Sequence, residues 1–218
     1  MVLHTVAKPA GLPVLPPHAD PAGDCLVARV IAAEPWRADV AWPEGFAGGV
    51  LHRLDTPTSG AVAFAASLEE HTEIRRLFAG GALVKTYLFV AGRDVPWTTN
   101  AIAARLAHDP RHKSRMVVER GAHTPHRGRW LEASTTLRRL HGPLFEATIT
   151  TGVMHQVRVH AAFVGIPLAG DRRYGGGPPP DDAPPGATFL LHHVGFVGPE
   201  VETAPVPVPD WVTRAPTK

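Results

Sequence analysis

The stretch His52-Arg53-Leu54-Asp55-Thr56-Pro57-Thr58-Ser59-Gly60 sets a single carboxylate between a basic residue and a turn. Pro57 and Gly60 punctuate the chain, and the apolar run Ala61 to Ala66 begins directly afterwards, so Asp55 is delivered at the start of a buried strand. An acid held there is positioned rather than merely solvated, and its chemistry would be that of a fixed carboxylate. Other chemistries fit the same region poorly. Ser59 lies between Thr58 and Gly60, without the Gly-x-Ser-x-Gly elbow of a hydrolase, and no second acid stands near Asp55 for paired acid–base work. His155 and His160 are five apart rather than four, and His192 and His193 are adjacent, so neither pair has a zinc-helix spacing.

The elements that must hold Asp55 follow from periodicity. Val6 to Val14 is too rich in Pro and Gly for a helix and reads as a short strand and turn at the edge of the core. Asp24 to Pro35 suits a short helix, and Ala61 to Ala66 is apolar on both faces, as in a strand covered on both sides. Ser67 and Glu70 form a capping-box signature, followed by Leu68, Ile74, Leu77 and Phe78 at helical spacing and Gly80-Gly81 as a stop. Val84 to Ala91 alternates, which puts Lys85 and Tyr87 on one face. Tyr87 is read two ways, as a packed core tyrosine or as the wall of a site. Glu132 to Leu140 and Leu144 to Thr151 make a hairpin through His141-Gly142-Pro143, and His155 to Val164 a helix stopped by Gly165 and Pro167. Thr188 to Val197 is a last buried strand. Residues 175–187 read as a flexible loop that could be deleted with little harm to the core, and 199–218 as an irregular tail.

Charge is unevenly spread. The chain of 218 residues carries a formal charge of +2, yet residues 105–139 hold nine Lys and Arg against three acids, a local +6 that leaves −4 for the remainder. Arg105 to Arg129 shows little periodicity and is expected to be an extended arm or loop. Such a cluster is either a solvated face or a surface that follows phosphates, with His108, His112, His123 and His126 adding charge at mildly acidic pH. With 44% hydrophobic residues the chain can bury one sizeable core. One cysteine, Cys25, excludes an internal disulfide, and no run of about 20 apolar residues is present to span a membrane. Together with an N-terminus lacking the regions of a signal peptide, these features predict a single-domain, soluble, cytoplasmic protein spanning residues 1–218.

Several separated motifs then coincide. His52-Arg53-Leu54-Asp55 with Thr58-Ser59-Gly60, Lys85-Thr86-Tyr87, and His155-Gln156-Val157-Arg158-Val159-His160 with Gly170-Asp171 and Tyr174-Gly175 occur in one order, flanked by Lys8-Pro9-Ala10-Gly11 and Leu191-His192. In this the chain resembles the RluA-type family of RNA pseudouridine synthases over roughly residues 6–198. The resemblance implies an α+β fold with a largely antiparallel central sheet in two subdomains and a catalytic cleft between them. It further implies a reaction with neither cofactor nor metal, in which a uridine's glycosidic bond is cut, the base turned and rejoined through carbon. The expected catalytic residues are Asp55 as the essential acid, Tyr87 as the stacked, proton-transferring aromatic and Arg158 as the cation paired with the aspartate. The expected substrate-binding residues are Arg53, which helps hold the target nucleotide out of the stack, with His52, Lys85, His155, Gln156, Arg111, Lys113 and Arg115. The partner is ribosomal or transfer RNA, with no membrane or obligate protein partner, and the chain acts as a monomer without a small N-terminal RNA-binding module. Where the family's third motif runs Gly-Arg-Thr-His-Gln, this chain has Gly152-Val153-Met154-His155-Gln156. A missing helix-capping Thr predicts a weaker helix start by roughly 1 kcal/mol, and motivates the alternative of a catalytically impaired member that only binds or remodels RNA.

Overall fold

A computed structural model describes residues 1–17 and 19–214. The described residues form two compact units, one within Met1–Lys85, Pro184–Ala187 and His192–Pro209, the other within Thr86–Ala183, Thr188–Leu191 and residues 210–214.

In the first unit, β1 (Val2–Lys8) pairs antiparallel with β2 (Ser59–Phe64), in a register that sets Lys8 opposite Gly60. On its other side β2 runs parallel to β10 (Leu191–Gly198), with His193 beside Gly60. β11 (Val201–Thr203) pairs with both β1 and β10. β1 is therefore an inner strand, not the edge that its Pro and Gly content suggests, because those residues fall in the turn that follows it. β2 is buried from Gly60 to Phe64, as a strand apolar on both faces should be. Helix α1 (Leu26–Ala33) covers one side through Leu26, Val27 and Val30, in a cluster with Val50, Val62 and Phe64. Helix α2 (Leu68–Ala79) places Ile74 in a second cluster with Leu51, Ala63 and Leu83. The Ser67 hydroxyl accepts from the Glu70 N–H, while the Glu70 carboxylate reaches Ala66, one residue before the capping-box target. Leu68, expected on the apolar stripe, is 43% exposed because it begins the helix.

Gly60 has φ +125°, and a Cβ built on it would lie 2.1 Å from the His193 carbonyl oxygen. Gly60→Ala should therefore lower stability by on the order of 3 kcal/mol and the thermal midpoint by about 6–12 °C. A melt within about 2 °C of wild type would show that β10 yields without cost.

In the second unit, β3 (Val84–Val90), whose first two residues belong to the first unit, neighbours β9 (Leu144–Ile149). β9 pairs antiparallel with β8 (Ser134–His141), and β8 with β4 (Thr99–Ala103). The hairpin through Gly142 is as expected. Phe89, Leu137, Phe145, Ile166 and Phe189 form the core beneath, and helix α3 (Gln156–Phe163) packs into it through Val157 and Ala161.

The basic segment is not a structureless arm. β5 (Leu106–His108) pairs with β6 (Met116–Val118) and β7 (Arg127–Leu131) in a small antiparallel sheet. Leu106, Met116 and Val118 are buried in a cluster with Val159 and Tyr174. Strands of three residues are too short to show a period among so many charged neighbours.

The tail also departs from expectation. β11 and the short helix α4 (Asp210–Thr213), which buries Trp211 against Leu144 and Leu190, order much of residues 199–214; residues 215–218 fall outside the described chain. The proline-rich loop is tied at both ends: a Cβ on Gly186 would meet Gly11 at 2.7 Å, and Gly176 exchanges backbone hydrogen bonds with Gly170 and Asp171. Deleting it would remove those contacts.

Candidate active site

In the first unit, the turn carrying Asp55 is fixed by its backbone. The Thr58 N–H donates to the Asp55 carbonyl at 2.9 Å, and the Thr56 carbonyl accepts from the Gly11 N–H at 2.9 Å and from Lys8 Nζ at 3.0 Å. Lys8 Nζ also donates to the carbonyls of Pro9 and Leu12 at 3.0 and 2.7 Å. This lysine is 2% exposed, so its ammonium acts as an internal clamp joining the N-terminal turn to the acid-bearing one. Burial lowers its pKa to about 8, and the Asp55 charge works against that shift. Lys8 was not among the residues expected to bind substrate. The flanking element Lys8-Pro9-Ala10-Gly11 marks it in the sequence as the start of a turn, with no hint of what the ammonium meets.

Asp55 is half-buried and Arg53 exposed. Two neighbours expected to contact substrate are turned inward. His52 accepts from the Ala63 N–H through Nε2 at 3.2 Å, with its ring against Phe78, His193 and Phe196. It is 7% exposed and braces the turn from within. Lys85 is 9% exposed, with Nζ 4.6 Å from the centre of the Phe78 ring. Burial lowers its pKa to about 8.

In the second unit the functional groups gather on α3. Arg158 donates through Nε to Asp171 Oδ2 at 2.7 Å and through Nη2 to Oδ1 at 3.0 Å, a bidentate pair with both side chains buried. Its guanidinium lies 4.2 Å from the Phe189 ring centre and 5.2 Å from that of Tyr174. Tyr174 is a hub. Its hydroxyl accepts from the Met116 N–H at 2.9 Å and sits 2.9 Å from His155 Nδ1, and Arg115 lies 5.7 Å from its ring. Asp171 and Tyr174 carry more of this arrangement than the motif reading assigned to them.

His155 caps α3 in a left-handed conformation, φ 58°, a costly choice outside glycine that its tie to Tyr174 sustains. Gln156, expected to bind substrate, is 2% exposed and fully engaged. It donates to the Ser134 carbonyl and Thr135, and accepts from the Val153 N–H at 3.2 Å and the Thr151 hydroxyl at 2.8 Å. The Val153 N–H precedes the helix, so this bond is no substitute for a cap: His155 at the N-cap position makes no side-chain capping bond, in line with the weaker start that the missing Thr predicts. Val153 packs on the Leu106 cluster and Met154 is 38% exposed. His160 bridges Thr135 and the Ala104 carbonyl and is structural. Tyr87 is half-buried, packed on the Phe89 core.

Arg111, Lys113 and Arg115 are exposed on the connection from β5 to β6. Asp109 shapes it, accepting from the backbone N–H groups of Arg111 and His112 at 2.8 and 3.0 Å, and those donors hold its carboxyl below the usual range. Arg173 donates to the Ser114 carbonyl at 2.6 Å, which docks this connection onto the Tyr174 segment.

The sequence matches the family described as RNA pseudouridylate synthase over residues 2–163. The chain belongs to that family. It is 33% identical over 175 residues to a ribosomal large subunit pseudouridine synthase D of Xylella fastidiosa, covering 78% of this chain and 48% of that one. An uncharacterised RNA pseudouridine synthase of Synechocystis is 30% identical over 221 residues, covering 94% and 62%. The chain spans less than two thirds of these relatives. Human RNA pseudouridylate synthase domain containing 4 shares the fold, with a TM-score of 0.68, 20% identity, and 98% and 90% of the two chains covered.

Proposed function

We propose that this member of the pseudouridine synthase family isomerises uridine in RNA to pseudouridine, acting as a cytoplasmic monomer. The reading rests most on Asp55: the family match covers it, and three hydrogen bonds fix the backbone of its turn. In the reaction the bond from ribose C1′ to N1 breaks and a bond from C1′ to C5 forms. The C5 proton is lost and N1 gains one, so no atom is supplied from outside. A stacked uridine is out of reach of any side chain, so the nucleotide must leave the helix at a cost of a few kcal/mol. In this proposal Tyr87 receives the base, Arg158 supplies the cation and Arg53 helps hold the nucleotide out. The exposed Arg111, Lys113 and Arg115 track phosphates without reading sequence. His52, Lys85 and Gln156 act indirectly, by holding the backbone that carries the site.

Large-subunit ribosomal RNA is the first substrate to try, since several similar proteins bear names for that reaction; transfer RNA is the second. The test is tritium release from RNA labelled at uridine C5. Wild type should release it, and Asp55→Asn should reduce the rate at least about a thousandfold, as loss of a covalent or proton-transfer group does. Equal release from both proteins would sink the assignment of Asp55. RNA binding by wild type with no release from either candidate RNA would favour the impaired-member reading that Val153 and Met154 prompted.

A further inference from the structure

The edge strand β7 carries a feature that the proposed reaction does not use. Leu106 pairs with Leu131 and His108 with Arg127, so two steps along β5 are matched by four along β7. The two extra residues bulge the strand at Gly128, φ +77°, where a Cβ would meet nothing within 4 Å. In a regular strand, residues four apart are separated by about 13 Å. Here the bulge folds the ring of His126 onto that of Trp130, with centroids 4.2 Å apart and planes at 32°. His126, Arg127, Gly128 and Arg129 are all exposed, and Trp130 is half-buried.

The pair is also fixed in advance. His126 Nδ1 lies 3.0 Å from the Thr124 carbonyl, and the Thr124 hydroxyl takes the Arg120 N–H and donates to the Gly121 carbonyl, both at 2.9 Å. Arg120 in turn covers the Phe163 ring at 5.6 Å. An aromatic pair with His126 exposed and Trp130 half-buried, beside two exposed arginines in a segment of net charge +6, matches a polyanion that also presents flat π-faces. We propose that His126 and Trp130 form a platform on which an unpaired base of the RNA stacks, with Arg127 and Arg129 taking the adjacent phosphates. This rests on RNA being the substrate and adds a contact outside the residues assigned to the reaction. It implies that the RNA is single-stranded, in a loop or bulge, where it crosses β7.

The experiment measures binding of the full chain to a fluorescein-labelled oligouridylate of about 12 nucleotides, and to an RNA duplex of the same length, by anisotropy. Trp130→Ala should weaken single-strand binding by about 5- to 150-fold and duplex binding far less, while Trp130→Phe, which keeps a ring, stays near wild type. Arg127→Gln with Arg129→Gln should flatten the salt dependence by about 1.4 in the log–log slope. Thermal melts of each variant check folding, and Trp130→Phe keeps the comparison meaningful if Trp130→Ala is unstable. Wild-type affinity in Trp130→Ala, or equal losses on single-strand and duplex RNA, would overturn the platform. Tritium release by wild type separates the two readings: turnover with an unchanged Trp130→Ala affinity removes the platform alone, whereas a wild type that neither binds nor turns over RNA removes both.

Discussion

Arg158→Ala should destabilise the protein by about 3–5 kcal/mol, because it leaves the Asp171 carboxylate buried without its partner. Both side chains are almost wholly excluded from water, at 6% and 2% exposure, so solvent cannot replace the lost guanidinium. Asp171 sits where its backbone accepts from the N–H groups of Tyr174 and Gly176 and donates to the Leu168 carbonyl, so a carboxylate pushed toward water would disturb the whole return from α3. Arg158→Lys should recover only part of the loss, since an ammonium cannot form the two parallel bonds seen here. The decisive comparison is the double variant Arg158→Met with Asp171→Leu. An apolar pair of similar volume should fold within about 1–2 kcal/mol of wild type, since dissolving both charges removes their desolvation cost as well. It should still release no tritium from RNA labelled at uridine C5. Urea denaturation gives the stabilities, and recovery of fold without recovery of turnover would separate the scaffold role of Arg158 from its proposed role in the reaction. A single Arg158→Ala loss below about 1 kcal/mol would show that the pair is no structural keystone.

That pair joins groups whose partnership is not a local feature of the chain. Helix α2, the hairpin of β8 and β9 and the strand β2 were legible because each signal is local: a Ser and Glu three apart, a Gly-Pro turn between alternating runs, an apolar stretch after a turn. Helix α3 was legible through Val157 and Ala161 and its Gly165 stop. What a charged side chain meets is not local. The motifs point Arg158 at Asp55 and carry no sign of its bidentate pair with Asp171, 13 residues on, or of the Tyr174 and Phe189 rings around it. Lys8 looked like part of a turn and is a buried clamp on the Thr56 carbonyl. His52 and Gln156 looked like groups for RNA and are spent on the Ala63 and Val153 backbone. In each case the residue type was informative and its partner was not: Lys8 and His52 meet groups that the pairing around β2 brings near, and Arg158 and Gln156 meet groups placed by the turns on either side of α3.

Register also creates the second large effect. β2 and β10 bring His52, His192 and His193 into the interior of the first unit, beside Lys85 and Arg75. His192 meets the Ser59 hydroxyl at 3.0 Å, and His193 Nδ1 lies 2.7 Å from the Ala61 carbonyl. Burial pulls His192 down to about 4 and His193 to about 3 from the usual 6.5, and His52 well below 6.5, with neighbouring cations adding to the shift for His52 and His193. Each is therefore neutral in the folded protein when its unfolded counterpart has already taken a proton. Their contribution is fully present above pH 6.5 and is lost as pH falls toward the folded values, at about 1.4 kcal/mol per pH unit for each histidine. Between pH 6.5 and 4, His192 alone should forfeit about 3 kcal/mol. Lys85 acts at the other end. Its folded pKa of about 8 lies below the usual 10.5, so the unfolded chain holds that proton longer and stability from this group rises with pH between those values. The stability maximum should thus lie on the alkaline side of neutrality. Urea midpoints from pH 4.5 to 9.5 give the test. His192→Gln, which can still meet the Ser59 hydroxyl, should show an acid limb shallower by nearly one proton, and Lys85→Met a flatter alkaline limb. If His192→Gln keeps the wild-type acid slope, the destabilisation in acid comes from other groups and His192 is not held neutral.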